Sequence, residues 1–160
     1  MKVLPFFSLV FLSSYCLAQN SFRKNIVYAE FCGSGLNWSA NYERQLGNKP
    51  GLGLHAGVGY ASSNEQFRVS IPVGVNYIFN ISHQRSFVET GIGVTWAEQN
   101  IWESKLPDTY FQYEPGLFAS VGYRYQAPYG LIWKIDYTPF FTKYRNDYLF
   151  LGISVGWSFR

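Results

Sequence analysis

Along the last thirteen residues the chain reads YLFLGISVGWSFR, and large apolar residues fill every odd position from Leu149 to Phe159. Between them, Phe150 aside, stand Gly152, Ser154, Gly156 and Ser158. A period of two places one set of side chains on each face of a strand. Seven earlier runs read as strands in the same way: 26–32, 36–45, 52–61, 67–79, 86–98, 110–126 and 131–142, with the eighth over 148–159. Turn chemistry separates them. Gly33-Ser34-Gly35 suits a tight hairpin, Gly47-Asn48-Lys49-Pro50-Gly51 and Ala127-Pro128-Tyr129-Gly130 suit loops, and 99–109 is a longer polar segment. The first boundary has a second reading, in which 26–46 is one glycine-kinked strand and the count falls to seven. An even count lets both termini lie on one side, as in single-chain bacterial barrels, and favours eight.

The alternation assigns the faces. One carries Val27, Ala29, Phe31, Trp38, Leu54, Val58, Val73, Val75, Ile92, Val121, Ile135 and their neighbours in register, with aromatics toward the strand ends. The other carries Glu30, Glu43, His55, Arg68, Asn76, Glu89, Glu114, Arg124, Lys134 and Asp136, interleaved with glycine and serine. An apolar face this continuous and this poor in charge suits lipid. A soluble barrel reverses the pattern. The interior of an eight-stranded barrel is just wide enough for side chains to fill it. Unpaired charges there cost several kcal/mol each. The near balance of acids and bases therefore predicts an internal network of ion pairs and hydrogen bonds, and no open pore.

Composition supports strands. Aromatic residues make up 20% of the 160-residue chain and charged residues only 14%, against about 25% charged in average globular chains. A formal charge of +3 is too small to imply a nucleic-acid partner, and no basic run supports one. Residues 1–18 read as a signal peptide: Lys2, an apolar stretch from Val3 to Leu12, and Cys16-Leu17-Ala18 before Gln19. The mature barrel domain, 19–160, then keeps one thiol, Cys32, which cannot form an internal disulfide. No other run is long and apolar enough for a membrane helix, and the remaining spanning solution is a closed barrel.

Candidate chemistry is thin. The carboxylates of the polar face could pair as acid and base, but the cations on the same face suit an ion-paired filling. His55 and His83 are the only histidines, and no serine stands at a telling spacing from His55. No metal-ligand spacing appears, and no cofactor is expected. Gly51-Leu52-Gly53 and Gly91-Ile92-Gly93 precede no helix and read as space-making positions rather than phosphate loops. Asn37-Trp38-Ser39 and Asn80-Ile81-Ser82 match a glycosylation pattern that carries no weight in a bacterial outer-membrane strand or turn.

Five segments together bring out a resemblance. They are Ile26-Val27-Tyr28-Ala29-Glu30 with Asn41-Tyr42-Glu43-Arg44, then Ile71-Pro72-Val73-Gly74-Val75-Asn76-Tyr77, Gly122-Tyr123-Arg124-Tyr125-Gln126, Tyr137-Thr138-Pro139-Phe140-Phe141 and the terminal Gly152–Phe159 run. Across essentially the whole mature chain these resemble small outer-membrane β-barrel proteins of Bacteroidetes-type Gram-negative bacteria. The resemblance implies insertion by the barrel-assembly machinery through a C-terminal aromatic strand, from which this chain departs in ending on Arg160. It carries over no catalytic residue.

The expectation is an all-β fold: an eight-stranded antiparallel up-and-down transmembrane β-barrel with a side-chain-filled interior. It is expected in the outer membrane as a monomer with a structural or surface role, not as an enzyme. Its expected partners are the bilayer and the assembly machinery. Two alternatives stay open, a lipid- or lipopolysaccharide-modifying barrel enzyme and a soluble lipocalin-like binder.

Overall fold

The computed structural model describes residues 22–63, 66–82, 85–101, 110–142, 146–147 and 151–160. The expected signal segment and His83 lie outside the described residues. The elements are β1 (Asn25–Gly33), β2 (Leu36–Gln45), β3 (Leu52–Ser63), β4 (Gln66–Ser82), β5 (Ser86–Ile101), β6 (Tyr110–Gln126), β7 (Leu131–Tyr137), β8 (Phe140–Phe141), β9 (Asn146–Asp147) and β10 (Leu151–Phe159). Each strand pairs antiparallel with its neighbours, and β1 pairs with β10, Asn25 opposite Phe159, to close the sheet. β7 with β8, and β9 with β10, each form one stave, so the barrel has eight. No helix occurs among the described residues. The first hairpin is real: Gly33 pairs with Leu36 around Ser34 and Gly35, and 26–46 is not a single strand.

The seventh stave is interrupted where the sequence suggested continuity. β7 ends at Tyr137 and pairing with β6 resumes at Phe140. Pro139 has no N–H to give the ladder, yet its carbonyl still accepts from the Ala119 amide at 3.2 Å. Pro72 faces the lumen of β4, and the β3–β4 pairing lapses beside it between Ala56↔Val73 and Gly59↔Ser70.

Burial follows the alternation. Along β10 exposed Leu151, Ile153, Val155, Trp157 and Phe159 alternate with positions that face inward, and Ser154 and Ser158 are fully buried. A continuous exposed apolar band results, running through Val27, Trp38, Leu54, Val58, Val73, Ile92, Leu117, Val121 and Ile135.

The lumen is layered. At the end that holds both strand termini, Ile26, Ile78, Phe87 and Ile132 are each buried, Ile26 and Ile132 in one cluster with Tyr28, and Phe22 lies edge-on to Phe87 at 6.3 Å. Two residues beyond Phe87 and Ile132, on β5 and β7, stand Glu89 and Lys134, and the lumen turns ionic. Beyond that, Phe118 and Phe140 stack at 6.4 Å. The inward glycines make room for these rings: a Cβ on Gly93 would overlap Phe118, and one on Gly116 would overlap Phe140.

Candidate functional site

Among the described residues the chemically capable groups gather in the lumen, beginning with its ionic layer. β2 supplies Glu43, β5 Glu89, β6 Arg124 and β7 Lys134, each at an inward position of its strand. Arg124 Nη1 donates to Glu43 Oε1 at 2.6 Å and to Glu89 Oε2 at 3.0 Å. Lys134 Nζ lies 3.2 Å from Glu89 Oε1 and 3.8 Å from Glu43 Oε2. The four groups form a ring in which each cation touches both anions. Asn76 donates to Glu89 at 2.8 Å and Gln45 to Glu43 at 2.9 Å. Lys134 also sits 4.2 Å above the Tyr28 ring, where the aromatic face favours a cation. Arg124 Nε and Nη2 find no acceptor among the described residues.

The other inward carboxylates lie toward the far end. Asp136 is buried and borders a cavity of about 20 Å³ with Glu30, His55, Phe118, Ser120 and Thr138. That volume is room for about one water molecule. His55 is 8% exposed, packs 5.8 Å from the Phe118 ring, and is walled inside the lumen rather than set on a rim that lipid could reach. The described lumen is not balanced in charge: four carboxylates face Arg124 and Lys134, with His55 beside them. Arg68 and Glu114 belong to β4 and β6, but their side chains lie outside the described residues.

Glu30 has a separate role. Its Oε2 accepts from Ser34 Oγ at 3.0 Å, the Gly35 amide at 3.2 Å and Ser39 Oγ at 3.1 Å. Those donors belong to the tip of the β1–β2 hairpin and its return, and the tip is folded into the barrel instead of standing above it. From the opposite wall Thr95 Oγ1 donates to Ser34 O at 2.6 Å and Ser70 Oγ to Gly35 O at 2.7 Å. Residues 33–35 are buried, so the tip lies across the far mouth as a lid. The inward bend is set by two non-glycine residues with left-handed backbones, Cys32 at φ 50° and Leu36 at φ 75°. For an L-residue that conformation costs roughly 1–2 kcal/mol. Cys32→Gly should therefore stabilise the barrel by up to about 1 kcal/mol, after the entropy that glycine gives back. Cys32→Val should destabilise it by about 1–2 kcal/mol, because a β-branched residue tolerates positive φ poorly. Urea titration of the refolded variants checks both, and a reversed order would show that the bend is unstrained.

The central carboxylates are held by cations and amides, and Glu89 and Lys134 of the quartet also line the cavity. Among the described residues no group of three or more His, Cys, Asp or Glu is arranged to hold a metal ion. The free thiol of Cys32 is half-buried near the end of β1, where the strand bends. Of the polar-face residues marked in the sequence, Glu30, Glu43, His55, Asn76, Glu89, Arg124, Lys134 and Asp136 are buried here; Gln45 as a carboxylate partner, and Ser34, Ser70 and Thr95 at the hairpin tip, were not marked.

No protein-family model and no curated protein matches this sequence. Solved structures do match. The chain is similar to the N-terminal β-barrel domain of Pseudomonas aeruginosa OprF, with a TM-score of 0.62 and 11% identity over 88% of this chain and 98% of that one. It is also similar to the Yersinia pestis outer membrane protein Ail, with a TM-score of 0.55 and 9% identity over 86% of this chain and 100% of that one. At such identities the likeness is one of fold: a closed eight-stranded antiparallel barrel of the kind found in outer-membrane proteins.

Proposed function

We propose that the chain is an integral outer-membrane β-barrel protein, made with residues 1–18 as an export signal, whose role is structural or at the cell surface and which holds no open pore. The observation that carries this reading is the apolar band running right round an ion-paired lumen. In water that band would be a large aggregation liability, since monomeric soluble proteins rarely expose contiguous apolar patches beyond a few hundred Å². In a bilayer it is the required surface, and closure satisfies every strand edge. Aromatic residues mark the border of the band at the terminal end: Tyr42, Tyr77, Phe79, Tyr123, Trp133 and Trp157 are all exposed there. Tyr42 Oη donates to Asn25 Oδ1 at 2.8 Å and Tyr123 Oη to Ser86 Oγ at 2.9 Å, so both phenols point at polar groups, as rings at headgroup level do. The likeness to two outer-membrane barrels supports the same reading. With short turns and both strand termini at one end, that end faces the periplasm and the lidded end faces outward. Assembly machinery is then a partner in biogenesis, and the working form is a monomer.

Detergent-extracted protein should migrate differently on gels before and after boiling, and it should fractionate with the outer membrane. Val73→Arg, at mid-height of the band on β4, should cost about 2–4 kcal/mol when unfolding is followed in bilayers. On a water-facing wall the same change would stay within about 0.5 kcal/mol. Release without detergent together with a neutral Val73→Arg would return the protein to the class of soluble ligand-binding barrels.

A further inference from the structure

At the terminal end stand Arg23, Lys24, Arg44, Lys49 and Arg85. Among the described residues no Asp or Glu side chain outside the lumen accompanies them; Glu30, Glu43, Glu89 and Asp136 lie within the barrel. Arg44, Lys49 and Arg85 are exposed. Arg23 spends its donors on neutral carbonyls, Ser158 O and Pro128 O, each at 3.0 Å, so its charge is uncompensated.

The collar has a definite height. Arg44 follows Tyr42 on the same outward face of β2 and lies opposite Leu54 and Asn25 in register. Arg85 lies in the turn after exposed Phe79 and Ile81 on β4. Arg44 and Arg85 therefore stand among the last exposed apolar side chains of that end, with Leu46 beyond Arg44 and Ile81 before Arg85. In a bilayer that is the level of the lipid phosphates, and a cation there gains several-fold in association with an anionic surface.

We propose that this basic collar is a binding surface for anionic phospholipid headgroups of the leaflet that meets the terminal end, holding a shell of lipids whose headgroups carry net negative charge. The proposal rests on the membrane reading above. The occupant follows from position: the collar adjoins the lipid-facing band directly, so headgroups are already its neighbours, and only their charge remains to be selected. Exposed Arg44, Lys49 and Arg85 can meet phosphate oxygens, and guanidinium groups bind phosphate in a two-pronged manner.

The test uses the full mature chain refolded into phosphatidylcholine bilayers that contain a trace of spin-labelled phosphatidylglycerol or spin-labelled phosphatidylcholine. Insertion is scored separately, by vesicle flotation after a carbonate wash and by the boiled-against-unboiled gel shift. Failure there overturns the membrane reading and this proposal with it. For inserted protein, the motionally restricted fraction should favour phosphatidylglycerol several-fold at low salt, and the preference should fall toward parity at high salt. The Arg44→Gln, Lys49→Gln, Arg85→Gln variant should insert and lose most of the preference. Equal association of both lipids with the wild-type chain overturns the collar while leaving the barrel in place, as does an unchanged preference in the triple variant. Should the triple variant fail to fold, the salt response of the wild type and of Lys49→Gln, in an exposed turn, decides the question.

Discussion

Arg124→Met is expected to lower the folding stability of the barrel by about 3–5 kcal/mol, the usual consequence of removing one member of a buried ion network. Arg124 is fully buried and its Nη1 serves both Glu43 and Glu89. Without it the two carboxylates share Lys134 alone, at 3.2 and 3.8 Å. The loss is that of stranded anions rather than of the guanidinium itself. A second variant separates the two effects. Replacing the whole network together, with leucine for Glu43, Glu89 and Asn76 and methionine for Gln45, Arg124 and Lys134, removes the amide donors along with their acceptors. It should cost far less than Arg124→Met, since exchanging a whole buried network for apolar side chains of similar volume is often neutral or stabilising. Urea titration of protein refolded in detergent or lipid measures both. A cost below about 1 kcal/mol for Arg124→Met would mean that the lumen is wet enough to screen the quartet.

Glu30→Ala should have the second largest effect, and a local one. One carboxylate oxygen accepts three hydrogen bonds from the hairpin tip and its return, two from hydroxyls and one from the Gly35 amide. Each buried donor left without a partner costs about 1–3 kcal/mol before water relieves it. A total of about 3 kcal/mol is expected. The lid then loses its near-side attachment, while Ser70 and Thr95 still hold it from the far wall. Cys32 reports on the change, being half-buried at the hinge of the tip. Alkylation of this thiol should be slow in the wild type and at least several-fold faster in Glu30→Ala. Unchanged alkylation with a stability loss under 0.5 kcal/mol would show that Glu30 does not fasten the tip.

What the sequence revealed, and what it hid, follows from where each feature is determined. Strand count and facing depend on period two, a local property, and β2 and β6 run between the residues that the pattern marks. The interruption at Thr138 and Pro139 was hidden because apolar residues continue across it, from Tyr137 to Phe141. The lid was hidden for a different reason. Its bend falls on Cys32 and Leu36, which have no preference for left-handed backbone, and is held by Glu30, Ser70 and Thr95, up to 61 positions away. The polar residues of the lumen were legible as a class, because they share the inward parity. Their partners were not. Which acid meets which base depends on how β2, β5, β6 and β7 face one another across the closed barrel, and no single strand encodes that.

The lumen contacts also give the barrel a mechanical character. A tube whose walls are one sheet thick resists stretching along its strands far better than it resists being flattened. Here the Arg124–Glu43 contact joins β6 to β2 and the Lys134–Glu89 contact joins β7 to β5, so the quartet acts as a crossed strut near one level. The hairpin tip braces β1 and β2 against β4 and β5 at another. Squeezed from the side, the wall can become oval only by breaking charged contacts in its interior. The side chains that fill the lumen are also what keeps its cross-section round.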